Sequence, residues 1–161
     1  MSYITRPGWP ESVRVHETIN VAGDVEVGEH TRIDAFVTIT GNVKIGAYVH
    51  IGTGVCIFGG DGVEIGDKVG ISPGVKIFTG TTNVDLPQLS NPALPDREAF
   101  TGPVKIGRSS EVGANSVIMP NVTIGEQVQV GALSFVTRDL ESGYVYAGIP
   151  VRRLRPRPRL K

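Results

Sequence analysis

The sequence carries one cysteine, Cys56, so no disulfide can form within the chain. That suits a reducing compartment. Long apolar runs are also missing. Met1–Glu11 does not resemble a signal peptide, and no segment is long enough to span a membrane. The expectation is a soluble, cytoplasmic protein of one domain with no membrane partner. Net charge is absent too, since sixteen Lys and Arg balance sixteen Asp and Glu. The balance is local rather than uniform. Arg152–Lys161 holds six positive and no negative side chains, which leaves the preceding residues at −6. Such a tail suits a phosphate-bearing partner or an acidic neighbouring surface, or it is simply solvated. No nucleic-acid partner is expected. Histidine is scarce: there are three, His16, His30 and His50. Regular threonine arrays, which an ice-binding solenoid would need, do not occur.

What is present is a period of six. Val15, Val21, Val27, Ile33, Ile39, Ile45, Ile51 and Ile57 are each six apart. Two extra residues fall in Phe58–Glu64, and the register resumes at Ile65, Ile71 and Ile77. After the 25 residues Thr79–Pro103 it resumes again at Ile106, Val112, Ile118, Ile124, Val130 and Val136. All seventeen positions are Val or Ile. This period fits neither a helix at 3.6 nor a long alternating strand. It fits short strands joined by corners, each pointing one β-branched residue inward. Three hexads make an 18-residue triangular coil, and stacked coils make a parallel β-helix. Val13, Val37, Val49, Val55 and their counterparts, two before each repeat residue, should line the corners of the same core. Each buried Val or Ile contributes about 1.5–3 kcal/mol, enough without metal or disulfide.

Counting in threes assigns the faces. Val15, Ile33, Ile51, Ile71, Val112 and Val130 share the first. Val21, Ile39, Ile57, Ile77, Ile118 and Val136 share the second, and Val27, Ile45, Ile65, Ile106 and Ile124 the third. The Gly59–Gly62 insertion and the Thr79–Pro103 loop then leave the same corner, after the second face. Residues 1–12 read as an irregular lead-in in which Trp9 caps the first coil. Residues 13–139 form the β-helix, with 79–103 extruded as an arm that Pro87, Pro92 and Pro95 stiffen and Leu86, Leu89, Leu94 and Phe100 help to pack. Residues 140–161 form a C-terminal extension, extended because of Pro150, Pro156 and Pro158, with a short strand at Tyr144–Ala147.

The run VKIGRSSEVGANSVIMPNVTIGEQVQVGALSFVTRDL, followed by YAGIPVRRL, resembles the C-terminal half of hexapeptide-repeat acyltransferases. These are the galactoside-, maltose- and serine-acetyltransferase-like enzymes, with the sugar acetyltransferases of polysaccharide biosynthesis among them. The resemblance spans Val13 to Leu154. It implies a left-handed β-helix, a hand that breaks the usual crossover rule. It also implies a homotrimer, with acetyl transfer from acetyl-CoA to a sugar hydroxyl or amine, possibly nucleotide-linked, and no metal. Carried over residue by residue, the CoA contacts are Ala114, Ala132, Thr137, Arg138 and Arg152. Small residues let an extended ligand approach the backbone, and arginines pair with phosphates. Where the family has Gly-x-Pro-Ala-Lys, this chain has Gly148-Ile149-Pro150-Val151-Arg152, which keeps the charge. It lacks the loop histidine of the galactoside and maltose members.

The base must then come from elsewhere. His50 precedes Ile51 and so points outward on the first face. Its column holds Arg32, then Gly70, Glu111 and Gln129, with Gly70 leaving space for a ligand. Asp34 is a diagonal neighbour able to fix the His50 tautomer. The segment RIDAF…YVHIGTG resembles a polysaccharide acetyltransferase subgroup. The expected catalytic pair is therefore His50 and Asp34, with Arg32 and Asp85 as acceptor contacts and backbone amides stabilising the oxyanion. His30 in a turn and His16 near the first coil are weaker candidates. Cys56 faces outward with no evident basic neighbour to activate it. Two other functions compete. A γ-carbonic-anhydrase-like metal enzyme needs three convergent histidines, but His16, His30 and His50 occupy different hexad positions. A non-catalytic binding or scaffold solenoid is favoured by the missing loop histidine and disfavoured by the intact CoA-side block.

Overall fold

The structure, a computed structural model, describes residues 3–83, 85 and 99–158. Every regular element among them is a strand. The chain forms a left-handed parallel β-helix of about seven turns. No helix among the described residues is long and apolar enough to cross a membrane.

The register follows the count in sequence. On the first face Val15 pairs with Ile33, Ile33 with Ile51, Ile51 with Ile71, Ile71 with Val112, and Val112 with Val130. Tyr146, in the strand Tyr144–Ala147, takes the next place in that column. On the second face the ladder runs from Val21 through Ile39, Ile57, Ile77 and Ile118 to Val136. On the third it runs from Val27 through Ile45, Ile65 and Ile106 to Ile124. The pairing of Ile106 with Ile65 shows that the long loop replaces one corner and skips no strand.

Sixteen of the seventeen repeat residues are buried. The exception, Val21 in the first coil, is partly buried against the core. Trp9 packs at that end, and its indole N–H donates to the Val25 carbonyl at 3.0 Å. Where the corner position two before the repeat residue is not apolar, it carries a hydroxyl. Thr31, Ser110 and Ser116 are fully enclosed. They donate to the carbonyls of Gly46, Gly125 and Gly131 and accept from the amides of Val49, Val128 and Ser134. Each hydroxyl thereby satisfies two backbone groups of the corner that would otherwise be buried unpaired.

The corners have a backbone cost. Among the described residues, nine non-glycine ones, each three before a repeat residue, sit in the left-handed region with φ between 54° and 61°, including His30, Phe36, Tyr48 and Leu133. The strands Asn20–Val27, Thr38–Ile45 and Cys56–Ile65 instead run unbroken from the second face to the third. They bend at stacked glycines. A Cβ on Gly41 would meet the backbone of Gly59 and Gly60, and the Gly41 φ is +89°. Glycine is needed there for both space and conformation.

The extruded loop leaves this same corner as an antiparallel ribbon, Gly80–Thr82 against Ala99–Thr101. The Thr79 hydroxyl anchors its root by donating to the Phe58 carbonyl and accepting from the Asp61 amide. The proline and leucine positions expected to stiffen and pack the arm lie outside the described residues. Both termini add to the first-face sheet. Tyr3–Ile4 pairs antiparallel at one edge, and Arg152–Pro156 pairs antiparallel to Tyr144–Ala147 at the other. The lead-in and the tail are therefore more regular than their sequences suggest.

Ile57 is wholly enclosed and Val21 is not. Replacing Ile57 by Ala is expected to cost roughly 2–5 kcal/mol. Val21→Ala should cost clearly less. Midpoints of urea unfolding monitored by circular dichroism check both.

Candidate active site

The first face gathers a compact polar group. Arg32 and His50 are Cα partners in adjacent strands. The alternation that buries Ile33 and Ile51 turns both polar side chains outward. Asp34 follows Ile33 at the end of its strand and reaches back diagonally. His50 Nε2 lies 2.7 Å from Asp34 Oδ2 and 2.6 Å from Arg32 Nη2. Arg32 Nε is 3.1 Å from Asp34 Oδ1. The same oxygen accepts a 2.7 Å hydrogen bond from the Tyr3 hydroxyl. The expected pairing of His50 with Asp34 and the neighbouring Arg32 is present. Tyr3 was not anticipated, because it lies outside the repeat and pairs with the first coil in the reverse direction.

Charge and tautomer are linked here. An arginine can only donate and a carboxylate only accept. A bare Nε2 would suit Arg32 but would set a lone pair against Asp34 Oδ2. An Nε2–H donates to Asp34, whose other oxygen holds the guanidinium. In the tautomer that donates Nε2–H to the ionised Asp34, Nδ1 is the free acceptor, and Arg32 Nη2, also a donor, must swing away from Nε2 while Arg32 Nε stays on Asp34 Oδ1. The Asp34 side chain is only 17% exposed. Burial works to raise its pKa. Hydrogen bonds from His50 and Tyr3 and the charges of His50 and Arg32 outweigh burial and hold it below the ordinary carboxylate range. The Tyr3 hydroxyl is pushed above its ordinary value, first by the hydrogen bond to Asp34, then by burial and the carboxylate charge, against the opposing charge of Arg32.

Two expectations need correcting. The space over Gly70, in register with His50, is not open for a ligand: the Glu111 carboxylate folds into the position a Gly70 side chain would take. Cys56 does have a basic neighbour in register, Lys76. Its Nζ, however, donates to the carbonyls of Gly74 at 2.9 Å and Gly54 at 3.4 Å. His16 bonds Thr18 and packs edge-on to Tyr3. His30 occupies a left-handed corner and stacks on Tyr48 at 4.9 Å. His16 reaches the His50 group only through Tyr3 and Asp34, and His30 stands apart on Tyr48, so the three imidazoles do not meet. Asp85 is exposed just past the ribbon at the corner opposite the first face, with its amide on Asn83 Oδ1 at 3.1 Å. This chain does not bring it to His50.

The residues expected to contact CoA lie further along. Ala114 and Ala132 lie at the end of the first face, two and three strands beyond His50 and three residues further along than the Glu111 and Gln129 that share its column. Thr137, Arg138 and Arg152 meet with Pro150 and Val151 around a shallow pocket of about 220 Å³ at the C-terminal end. Arg138 Nη2 donates to the Val151 carbonyl at 3.2 Å, while Arg138 and Arg152 both stay exposed. Exposed guanidinium groups around such a pocket suit a phosphate-bearing ligand. Not all of the basic tail is free. Arg153 pairs with Glu141 at 2.8 Å and lies over the Tyr144 ring at 4.6 Å. Arg157 donates to the carbonyls of Ser109 and Val128. These two hold the tail to the helix.

A larger groove, about 820 Å³, runs along the third face and holds none of the expected residues. Its rungs alternate Glu26, Lys44, Glu64 and Lys105, with ion pairs at 3.4 Å between Lys44 and Glu26 and between Lys105 and Glu64. This is a solvated charge ladder, each exposed pair contributing about 0–1 kcal/mol.

Comparisons with known proteins bear on the fold and the class of chemistry. A family model described as bacterial transferase hexapeptide (six repeats) matches residues 11–59 and 103–138. The dTDP-4-amino-4,6-dideoxy-D-glucose acyltransferase of Escherichia coli is 30% identical over 149 residues, covering 88% of this chain and 78% of its own length. Galactoside O-acetyltransferase, also of Escherichia coli, is 37% identical over 93 residues, covering 58% of this chain and 43% of the relative. Among solved structures, AntD, an N-acyltransferase from Bacillus cereus in complex with dTDP and 3-hydroxybutyryl-CoA, superposes with a TM-score of 0.88 at 33% identity, covering 92% of this chain and 81% of that one. The acetyltransferase domain of PglB from Neisseria gonorrhoeae, in complex with acetyl coenzyme A, has a TM-score of 0.69 at 20% identity over 91% of this chain and 60% of that one, and shares the fold alone.

The depressed Asp34 pKa predicts a pH effect on stability. A carboxyl with a folded pKa below its unfolded value adds stability above the unfolded pKa, about 3.9, and loses it as pH falls through the folded pKa. Asp34→Asn should lack this acid-side loss. Unfolding free energy measured between neutral pH and strong acid checks it: parallel curves for wild type and variant would contradict the network.

Proposed function

The chain belongs to the bacterial hexapeptide-repeat transferases and is an acyltransferase, and on that premise we propose that His50 is the general base that activates a sugar hydroxyl or amine for attack on acetyl-CoA. The observation that carries the reading is the 2.7 Å contact of His50 Nε2 with a carboxylate held in its ionised form. It orients the ring and leaves Nδ1 to take a proton. The acceptor gives its proton to Nδ1 as its oxygen or nitrogen attacks the thioester carbonyl carbon. The carbon–sulfur bond then breaks, and the proton on His50 passes to the departing thiolate. Asp34 steadies the imidazolium through this exchange. Backbone amides stabilise the oxyanion, and Arg32, half exposed beside the Nε2 edge of the ring, contacts the acceptor.

Ala114, Ala132, Thr137, Arg138 and Arg152 bind the donor in this reading. Its support is the pocket that three of them share and the exposure of both arginines. The nearest acceptor class is a nucleotide-linked amino sugar, by similarity to the two relatives that act on or bind dTDP compounds. Asp85 is assigned to the acceptor through a second subunit, since its own chain places it far from His50. That assignment rests on a homotrimeric assembly, which the family resemblance supports. A cytoplasmic setting and polysaccharide biosynthesis complete the reading.

His50→Ala should lower kcat by about 10²–10⁴-fold, the usual contribution of a positioned general base. CoA binding, followed by calorimetry, should be unchanged. Turnover near the wild-type rate would remove His50 from the role. The same calorimetry with dephospho-CoA should show weaker binding, and Arg152→Ala should remove the difference between the two ligands. No binding of either would favour the scaffold reading.

A further inference from the structure

The lead-in brings an aromatic hydroxyl to the base. The strand Tyr3–Ile4 pairs antiparallel with Arg14–His16, Tyr3 opposite His16. Asp34 belongs to the coil beyond. The Tyr3 side chain therefore spans the outer face of one strand to reach it, packed edge-on to the His16 ring with centroids 6.1 Å apart. The two Asp34 oxygens divide their work. Oδ2 faces His50, and Oδ1 accepts from Tyr3 at 2.7 Å and lies 3.1 Å from Arg32 Nε. Without the phenol, Oδ1 keeps one partner, on the exposed Arg32 side chain.

We propose that Tyr3 is a positioning residue of the acyl transfer: its hydroxyl fixes the Asp34 carboxylate and, through it, the orientation and basicity of His50. This rests on the reading of His50 as the base. The N-terminal strand is then part of the catalytic apparatus rather than a lead-in. The groups facing His50 are Arg32 and Asp34 from the preceding coil and, across Gly70, the Glu111 carboxylate. Only Asp34 is bonded to Tyr3. The phenol draws carboxylate charge away from the imidazole, so its loss concentrates that charge on His50 and favours the imidazolium.

The test is Tyr3→Phe in the full chain, which keeps the ring and its contact with His16. Two readouts are taken. The His50 titration, followed through its ring proton resonance and assigned by the His50→Ala variant, should move to higher pH. The value of kcat should fall about 3–30-fold, part of what a positioned base supplies, with KM for the donor unchanged. The acid limb of the kcat/KM profile should move with the titration. In an Asp34→Asn background Tyr3→Phe should add nothing, because coupled residues are non-additive. An unmoved His50 titration would overturn the proposal whatever the rate does, as would a rate loss of full size in the Asp34→Asn background. A titration that moves while kcat stays at the wild-type value would overturn the His50 reading itself, and with it the catalytic part of the proposal.

Discussion

Backbone hydrogen bonding between successive coils is the constraint on which everything else in this protein depends. Each residue of a coil sits directly over its counterpart in the coil before. Whatever a position does once it must be able to do again about five ångströms away. That requirement explains why the inward positions are restricted to Val and Ile and why glycines stack on glycines at the bends of the long strands. It also explains why hydroxyls replace valine only where they can serve two corner groups at once. The left-handed corner residues belong to the same account. A triangular coil of this hand needs them, and their local cost is set against the ladders they allow to close.

The same rule generates the active-site candidate. Arg32 and His50 are adjacent only because they are one coil apart in the same outward column, and Asp34 joins them by a diagonal step. Where the repeat is broken, the protein gains features that repetition would forbid. The widened corner at Gly59–Gly62 and the ribbon one coil later leave the vertex opposite the face that carries His50. The C-terminal strand turns back and is held by Arg153 and Arg157, which leaves Arg152 free beside Arg138.

The sequence made the repeat architecture legible because a period of six is a direct record of the coil. Faces, register and the side of His50 all follow from counting, and so does its diagonal to Asp34. Tyr3 could not be found that way: its strand runs against the others, and no period reaches it. The occupation of the Gly70 space by Glu111 depends on how a long side chain folds back, which composition and spacing do not encode. The neighbour of Cys56 was legible, since Lys76 stands one coil on in the same column, but the lysine's commitment to two corner carbonyls was not. The hydroxyl corner positions were visible as departures from Val, yet their purpose emerges only when the orphan backbone groups of the corner are counted.

The two antiparallel strands at the ends of the first-face sheet have a consequence for assembly. A parallel solenoid is polar, and each exposed rim offers the template that the next coil would use. Left bare, such rims invite growth end to end, chain upon chain. Tyr3–Ile4 and Arg152–Pro156 cover both rims of this face with a strand of opposite direction, one that carries no hexad and so cannot propagate the pattern. The outermost strand at the C-terminal end is also charged and ends in proline, a poor docking edge for another chain. Reversal of direction acts as punctuation, giving a fold with no intrinsic limit on its length a defined beginning and end.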